Sequence, residues 1–331
     1  MTNPLLEVDD LAISFDTDDG TLTAVDHVSF SIQPAETVGL VGESGCGKSV
    51  TAHAIMRLLP QPMGHISSGS IKFKGRDLTS VNLSEMETIR GVDIGMVFQE
   101  PMTALNPVQT VGKQISESLI LHRSLTVRQA LKATVEILQR VGLSSPKVRA
   151  GEYPHQLSGG MRQRVVIAIA LACKPSLLIA DEPTTALDVT IQAQILRLIS
   201  DLQAELKMAV LLITHDLGII AETCDKVLVM YAGNIVESGS VYEIFGRPAH
   251  PYTQGLLNSI PRLETTSKSR LPVISGQVPG IRDFADGCRF ENRCPYRLPE
   301  CAESIPVSES ISATHQVSCF AWKEIPMTTP H

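Results

Sequence analysis

The chain has 331 residues, of which 43% are hydrophobic and 19% charged, and its formal net charge is −7. This is a globular composition, and the acidic balance argues against general nucleic-acid binding, which needs clustered Lys and Arg to contact phosphates. No apolar run approaches the roughly 20 residues that span a bilayer. Because the start of the chain lacks a secretory pattern and the seven cysteines are odd in number, the sequence predicts a cytoplasmic protein with reduced thiols.

Predicted strands and helices alternate up to about residue 259. LEVDDLAISF and AVDHVSFSI alternate apolar and polar residues on either side of TDDG, which indicates an antiparallel hairpin. ETVGLVG is a short apolar strand that leads through a glycine-rich loop into a helix, KSVTAHAIMRLL. IGMVFQ, SLLIADE and AVLLITHD are near-continuous apolar runs, typical of parallel strands buried on both faces. Together these segments predict an α/β fold.

An amphipathic helical stretch over residues 112–142 interrupts the strands and predicts an inserted helical subdomain at about residues 100–160. Further along, TIQAQILRLISDLQAEL predicts a helix with one apolar face. The residues of that face are Ile191, Ile195, Leu198 and Leu202.

The end of the chain has a different composition. KVLVMYAGNIVESG predicts a hairpin that turns at Gly233-Asn234. After HPYTQGLLNSIPRLE, the segment TTSKSRLPVISGQVPG is rich in Ser, Pro and Gly and predicts a linker. We therefore divide the chain into a domain of residues 1–259 and an extension of residues 260–331.

GESGCGKS, residues 42–49, fits the P-loop pattern and lies between a predicted strand and a predicted helix. Its glycines let the backbone curl so that N–H groups point at phosphate oxygens, and the helix adds its positive N-terminus. Lys48 would reach the β- and γ-phosphates, and Ser49 would place its hydroxyl on Mg²⁺. A glycine-rich turn without a ligand is the disfavoured alternative.

Polar residues follow several buried strands. SLLIADEP ends in Asp181, which suits a Mg²⁺-associated carboxylate, and Glu182, which suits a general base; the alternative is a solvated acidic loop. Gln99 follows IGMVF and His215 follows LLIT. Each of these two could be a satisfied polar group that closes its strand, but ligands of open α/β sheets bind at such carboxyl ends.

QLSGGMRQR opens a helix with Ser158, Gly159 and Gly160, and a helix N-terminus can bind an anion. Alone, the triplet predicts an ordinary N-cap. Since one nucleotide rarely needs two helix N-termini from distant parts of one chain, the motif favours an arrangement in which one subunit's triplet meets the γ-phosphate held by another.

Four cysteines, Cys288, Cys294, Cys301 and Cys319, lie in the extension with the spacing C-x5-C-x6-C-x17-C. Four thiolates can hold either Zn²⁺ or a [4Fe–4S] cluster, and four reduced thiols can also pack a small lobe. The spacing leaves these readings open. Cys46 in the P-loop is either a reactive thiol with a lowered pKa or a small residue that fits, and we favour the second.

Taken together, GESGCGKS, Gln99, LSGGM, LLIADE, TALD and His215 resemble the Walker A, Q-loop, signature, Walker B, D-loop and H-loop motifs of the ABC transporter ATPases, in the same order. The resemblance covers most of residues 5–245. It implies a P-loop NTPase fold with a mixed sheet core, an antiparallel β subdomain and a helical subdomain. It also implies a head-to-tail dimer with ATP and Mg²⁺ between one subunit's P-loop and the other's LSGGM.

The resemblance also implies roles for single residues. Glu182, His215 and Gln99 would act in catalysis, and Ser49, Gln99 and Asp181 would contact Mg²⁺. Met161, Phe15 and Cys46 depart from the commonest family residues but remove no catalytic group. The implied nucleotide-binding residues are Phe15 (stacking on adenine), Gly42, Glu43, Ser44, Gly45, Cys46, Gly47, Lys48, Ser49, Val50, Gln99, Ser158, Gly159, Gly160, Asp181 and Asp188.

FQEPMTALNPVQTVGKQI, RPAHPYTQGLL and the cysteine tail are similar to the oligopeptide/dipeptide importer ATPases. This narrower resemblance implies peptide uptake driven by ATP hydrolysis at the cytoplasmic face of the plasma (inner) membrane. The implied partners are two integral permease subunits, a second ATPase subunit that is a homologous but different chain, and an extracytoplasmic solute-binding protein, with no nucleic acid. It also matches the four tail cysteines to positions that ligate a [4Fe–4S] cluster in some members, with Zn²⁺ as the alternative metal.

Two other functions compete with this prediction. One is an importer ATPase for a non-peptide solute. The other is a non-transport ABC ATPase that acts on nucleic acid or the ribosome, which the single cassette and the acidic charge disfavour. A third class, a metal-dependent regulatory NTPase, is disfavoured by LSGGM.

Overall fold

The computed structural model describes residues 3–185, 187–260 and 273–326. Within them the strands are β1 Leu6–Thr17, β2 Gly20–Ile32, β3 Thr37–Val41, β4 Gly64–Phe73, β5 Arg76–Asp77, β6 Ile94–Val97, β7 Leu177–Asp181, β8 Ala209–Thr214, β9 Lys226–Tyr231, β10 Asn234–Ser240, β11 Glu309–Ser310 and β12 Gln316–Val317. The α-helices are α1 Lys48–Ile55, α2 Leu83–Ile89, α3 Pro101–Ala104, α4 Val111–Arg123, α5 Val127–Arg140, α6 Pro146–Ala150, α7 Gly159–Leu171, α8 Val189–Leu206, α9 Leu217–Thr223, α10 Val241–Gly246, α11 Pro251–Asn258 and α12 Glu300–Glu303. Short 3-10 helices span Pro154–Gln156, Ile281–Asp283 and Glu291–Arg293.

The chain divides into two compact units. Unit one contains Gln33–Glu36 and Ser80–Ile213 with the residues before β1, and unit two contains Leu6–Ile32, Thr37–Thr79 and the chain from Thr214 onwards. The described residues of the extension therefore belong to the same unit as the P-loop.

In unit one, β6, β7 and β8 are parallel neighbours, with Ile94 opposite Leu177 and Leu177 opposite Ala209. Every residue of these three strands is buried. The prediction of apolar strands covered on both faces is confirmed. Helices α3 to α6 lie in the region predicted to hold the helical subdomain.

In unit two, β1 and β2 form the predicted antiparallel hairpin, and one sheet has the strand order β2-β1-β4-β5. A second set of strands joins β3 to β9 in parallel, β9 to β10 antiparallel, and β10 to β12 antiparallel. The extension contributes β12, in which Val317 lies opposite Glu237. The extension thus adds a strand to the sheet that carries the P-loop.

Local details differ from the sequence expectations. The first helix ends at Ile55 rather than Leu59, because the chain turns at Arg57, whose φ is 53°. The β9–β10 turn uses Ala232 and Gly233, with φ of 45° and 88°, instead of Gly233-Asn234.

Helix α8 buries Ile195, Ile199 and Leu202, so Ile199 takes the core position expected for Leu198. The predicted linker begins among residues 261–272, which lie outside the described residues. Within the described part of the chain, no helix is both long and apolar enough to cross a bilayer.

Candidate nucleotide-binding site

The P-loop connects the end of β3 at Val41 to the start of α1 at Lys48. Gly42, Gly45 and Gly47 all have positive φ, at 155°, 81° and 106°. A Cβ on Gly42 would lie 2.1 Å from the carbonyl oxygen of Met230, so this position requires glycine for close packing as well as for its backbone angle. The N-terminus of α1 at Gly47 has no side-chain cap, and its N–H groups suit an anion.

Lys48 is held inside the loop. The residue is 5% exposed, and its Nζ donates hydrogen bonds to the carbonyl oxygens of Gly42 at 2.8 Å and Glu43 at 2.9 Å. The ammonium group is thus fixed by the backbone of the same loop whose N–H groups are expected to bind phosphate. This geometry gives the loop the charge and shape of a polyphosphate site.

Cys46 is fully buried beneath the loop. Burial raises the pKa of its thiol, and the nearby charge of Lys48 opposes this without reversing it. The hypothesis of a reactive thiol with a lowered pKa is therefore wrong, because the loop removes the sulfur from water. Cys46 acts as a small packing residue, and its carbonyl oxygen accepts the N–H of Gly233 at 2.9 Å.

Phe15 lies near the end of β1, opposite Leu22 in β2 and Gly64 in β4. A Cβ on Gly64 would lie 2.9 Å from Cε1 of Phe15, so glycine leaves room for the ring. The ring is half-buried in the unit that carries the P-loop. Its stacking on adenine stays a prediction.

Glu182 follows β7 in unit one and has a φ of 45°, which is strained for a residue with a side chain. Its N–H donates to the carbonyl oxygen of Ile213 at 2.9 Å. Its Oε2 accepts hydrogen bonds from Nε2 of Gln99 at 3.2 Å and from Oγ1 of Thr185 at 2.8 Å. The structure thus brings together Gln99 and Glu182, which the sequence placed only at the ends of separate strands.

Asp181, the residue before Glu182, is 2% exposed at the tip of β7. The role of Thr185 was not predicted individually, although it lies in the TALD segment, whose Ala186 is outside the described residues. A hydroxyl three residues after a candidate base is the signal that could have identified it.

The signature triplet opens α7. Ser158 is the N-cap, and its Oγ accepts the N–H of Met161 at 3.4 Å. A Cβ on Gly160 would lie 2.8 Å from Cγ2 of Ile191, so glycine allows α7 to start close to α8. Asp188 caps α8 by accepting the N–H of Ile191 at 2.9 Å. Ser158 and Asp188 are both exposed, which leaves this edge of unit one accessible.

His215 directly follows β8 and is exposed in unit two. The next residue, Asp216, caps α9 by accepting the N–H of Gly218 at 2.8 Å. The position of His215 at the carboxyl end of a buried strand agrees with the sequence prediction. Its contact with a γ-phosphate stays a prediction.

The four tail cysteines lie in one lobe of unit two. The N–H of Cys288 donates to the carbonyl oxygen of Cys301 at 2.7 Å. Burial raises the pKa of Cys288 to about 11 and that of Cys319 to about 12, and the neighbouring cysteines add to both shifts. Burial therefore favours the thiol form of these two cysteines in the protein alone.

The predicted metal centre is not supported by this lobe. Within the residues that the structure describes, no group of three or more His, Cys, Asp or Glu side chains is arranged to hold a metal ion.

Comparison with known proteins places the chain in a family. Residues 25–185 match the family model described as ABC transporter, and residues 236–301 match the model described as oligopeptide/dipeptide transporter, C-terminal region. A putative peptide import ATP-binding protein of Brucella ovis is 51% identical over 97% of this chain and 98% of its own length. The oligopeptide transport ATP-binding protein OppD of Bacillus subtilis is 51% identical over 96% of this chain and 88% of its own length.

The chain belongs to the oligopeptide/dipeptide family of ABC transporter ATP-binding proteins. Among solved structures, the dimeric ATP-binding cassette MJ0796 in a post-hydrolysis state bound to ADP and Pi has a TM-score of 0.65 and 27% identity, over 71% of this chain and 98% of that one. The ABC ATPase fold and ATP hydrolysis predicted from the motifs are thereby confirmed. Membership implies ATP and Mg²⁺ as cofactors, membrane permease partners and a homologous ATPase partner.

Proposed function

We propose that this ABC ATPase is the ATP-hydrolysing subunit of a peptide importer. The observation that supports it best is that the similarity to peptide-import relatives extends over 97% of the chain, including the C-terminal region that matches its own family model. Dipeptides and oligopeptides are the proposed cargo. An importer for another solute is the second candidate, since the ATPase subunit does not touch the cargo.

In this proposal the P-loop binds the phosphates of ATP. The loop N–H groups and Lys48 neutralise phosphate charge, and Phe15 stacks on adenine. Ser49, Gln99 and Asp181 supply hydroxyl, amide and carboxylate oxygens, a donor set that fits Mg²⁺, which neutralises phosphate charge when bound.

Glu182 acts on the attacking water. Hydrogen bonds from Gln99 and Thr185 orient its carboxylate, which accepts a proton as the water oxygen bonds to the γ-phosphorus. The bond from that phosphorus to the bridging oxygen then breaks, and ADP and phosphate leave. His215 would contact the γ-phosphate.

We assign Ser158, Gly159, Gly160 and Asp188 to a head-to-tail contact with a second ATPase subunit. The exposure of Ser158, Gly159 and Asp188 supports this, because a signature triplet must be reachable by another subunit's nucleotide. Binding and hydrolysis would close and reopen the dimer, and two permeases would convert this motion into transport of peptides delivered by a solute-binding protein. This places the subunit at the cytoplasmic face of the plasma (inner) membrane.

A [4Fe–4S] cluster, or Zn²⁺, at Cys288, Cys294, Cys301 and Cys319 remains a proposal from family resemblance. The backbone hydrogen bond between Cys288 and Cys301 supports it, whereas the arrangement of the side chains among the described residues does not. No step above depends on it. Iron and zinc both absent from anaerobically purified protein would end this part of the proposal.

The test of the proposed function is Glu182→Gln in the transporter reconstituted with its permeases in vesicles. We expect peptide-stimulated ATPase turnover and peptide uptake to fall at least about a hundredfold while ATP binding persists. Glu205→Gln is the matched control, because Glu205 is an exposed carboxylate of unit one that forms a surface ion pair with Arg140. Near-normal turnover in Glu182→Gln would refute the assigned base, and ATPase activity without peptide uptake would refute the cargo.

A further inference from the structure

The second residue of the P-loop, Glu43, is engaged through all of its polar groups. Its N–H donates to the hydroxyl oxygen of Tyr252 at 2.8 Å. Its carbonyl oxygen accepts from Nζ of Lys48 at 2.9 Å. Its carboxylate accepts two hydrogen bonds from Arg293, Nη1 to Oε2 at 2.7 Å and Nη2 to Oε1 at 3.1 Å.

Arg293 comes from the C-terminal extension and precedes Cys294 in the chain. Its side chain is 5% exposed, and that of Glu43 is 32% exposed. Nε of Arg293 donates to the carbonyl oxygen of Ser275 at 2.9 Å, and its guanidinium lies 5.7 Å from the ring centroid of Tyr231. The guanidinium is therefore held from several sides and has little freedom to leave the carboxylate.

Packing fixes the lobe that carries Arg293. The rings of Tyr231, Tyr252 and Phe290 meet with centroids 4.7 to 5.5 Å apart, and all three residues are at most 2% exposed. Phe290 belongs to the extension, whereas Tyr231 ends β9. Aromatic contacts of this kind anchor the extension against the rest of unit two.

A second arginine of the extension reaches the loop indirectly. Arg289 donates to the carbonyl oxygen of Ala232 at 2.6 Å and pairs with Asp26 at 2.5 Å. The next residue, Gly233, donates its N–H to the carbonyl oxygen of Cys46 in the P-loop at 2.9 Å. The extension thus contacts the loop near its beginning and supports the turn that contacts its middle.

We propose that Arg293 is a positioning residue of the nucleotide site, which it serves by fixing Glu43 and, through the Glu43 carbonyl, the ammonium of Lys48. The inference rests on the proposed binding of ATP at the P-loop. Arg293 does not touch the nucleotide. Its effect is to hold the P-loop in its binding conformation before the nucleotide arrives, which lowers the entropic cost of ordering the loop when phosphate binds.

Arg293→Gln in the full chain removes the paired donors, and Mg-ATP affinity, measured with a fluorescent ATP analogue, is expected to weaken roughly fivefold. Arg293→Lys keeps the charge but loses the two-point geometry, so an intermediate affinity is expected. The maximal ATPase rate at saturating ATP should change less than about twofold, because the loop is ordered once nucleotide is bound. Arg297→Gln is the matched control, since Arg297 lies in the same lobe with its side chain 66% exposed.

A double-mutant cycle separates positioning from simple stability. Glu43→Gln should weaken Mg-ATP binding about as much as Arg293→Gln, and the double variant should be no weaker than either single one. An affinity of Arg293→Gln equal to that of Arg297→Gln would overturn the proposal, as would a lower maximal rate with unchanged affinity. If Arg293→Gln does not fold, Glu43→Gln with wild-type affinity overturns it instead. Failure of the unaltered chain to bind Mg-ATP would refute the proposed function rather than this role of Arg293.

Discussion

The two units hold their functional residues in different ways. In unit two, Lys48 is buried, and its loop forms hydrogen bonds with residues more than 180 positions away in the chain. These residues are Tyr252, Gly233 and Arg293. In unit one, Ser158 and Asp188 are exposed and are held mainly by caps to residues three positions away. The comparison indicates that phosphate binding is built into the subunit, whereas the signature surface is left accessible for a partner.

Lys48→Met should produce the largest effect, because it removes the buried cation of the phosphate site. We expect Mg-ATP affinity to fall by a factor of roughly a thousand, as for loss of one partner of a desolvated charge pair. Equilibrium binding of a fluorescent ATP analogue would measure it. Lys147→Met, at an exposed lysine of α6, should leave the affinity unchanged. Retained affinity in Lys48→Met would mean that the loop binds phosphate by its backbone alone.

Gly42→Ala should have the second-largest effect, and it tests whether the P-loop depends on packing against residues distant in the chain. Its Cβ would lie 2.1 Å from the Met230 carbonyl oxygen, while a Cβ on Gly45 would have no atom within 4 Å. Both positions have positive φ, so the difference between Gly42→Ala and Gly45→Ala isolates the clash. We expect Gly42→Ala to cost about 3 kcal/mol more stability by urea unfolding. Equal losses in the two variants would show that only the backbone angle matters.

His250 provides a test of how the stability of unit two depends on pH. Burial lowers the pKa of His250 to about 4, against a partial opposing effect of Glu237. Below pH 6.5 the unfolded chain therefore binds a proton that the folded chain does not, and stability falls as the pH drops from 6.5 towards 4. Nδ1 of His250 accepts a hydrogen bond from the N–H of Tyr252 at 3.0 Å, and an asparagine oxygen could replace this acceptor. His250→Asn should therefore reduce the loss of stability at low pH by roughly 2 kcal/mol.

The free energy of unfolding would be measured with urea at pH 4.5 and 7, using the fluorescence of Trp322 to monitor unfolding. Trp322 is the single tryptophan of the chain and lies in the extension. His155→Asn, at an exposed histidine of unit one, should leave the pH dependence as it is. An unchanged dependence in His250→Asn would assign the acid sensitivity to other groups.

Thr185→Ala should have the smallest effect, since it removes one hydrogen bond to the carboxylate of Glu182 and leaves the one from Gln99. We expect the maximal ATPase rate to fall about fivefold with little change in KM, because the lost contact orients the base and not the nucleotide. Thr185→Ser keeps the hydroxyl and should restore most of the rate. A raised KM without a lower rate would place Thr185 in nucleotide binding.

Much of the site could be predicted from sequence because its motifs are local. The strand, loop and helix around Lys48, and the strand that ends at Asp181, follow from apolar runs and glycines that lie next to one another in the chain. The contact between Glu43 and Arg293 could not be predicted, because no local pattern reports which charges meet across 250 positions. The burial of Ile199 in α8, where the sequence predicted Leu198, has a similar cause. Packing against neighbouring elements decides which side of a broad apolar helix face is buried.

The pairing of β12 with β10 has a consequence for how the protein can be cut. A chain shortened at residue 259 would expose the N–H and C=O groups along Glu237 and Ser238 and would leave Tyr231 and Tyr252 without Phe290. Free strand edges beside apolar surface attract other chains. A cassette prepared without its extension should therefore precipitate or self-associate, and fusion tags or reporter domains belong after residue 326.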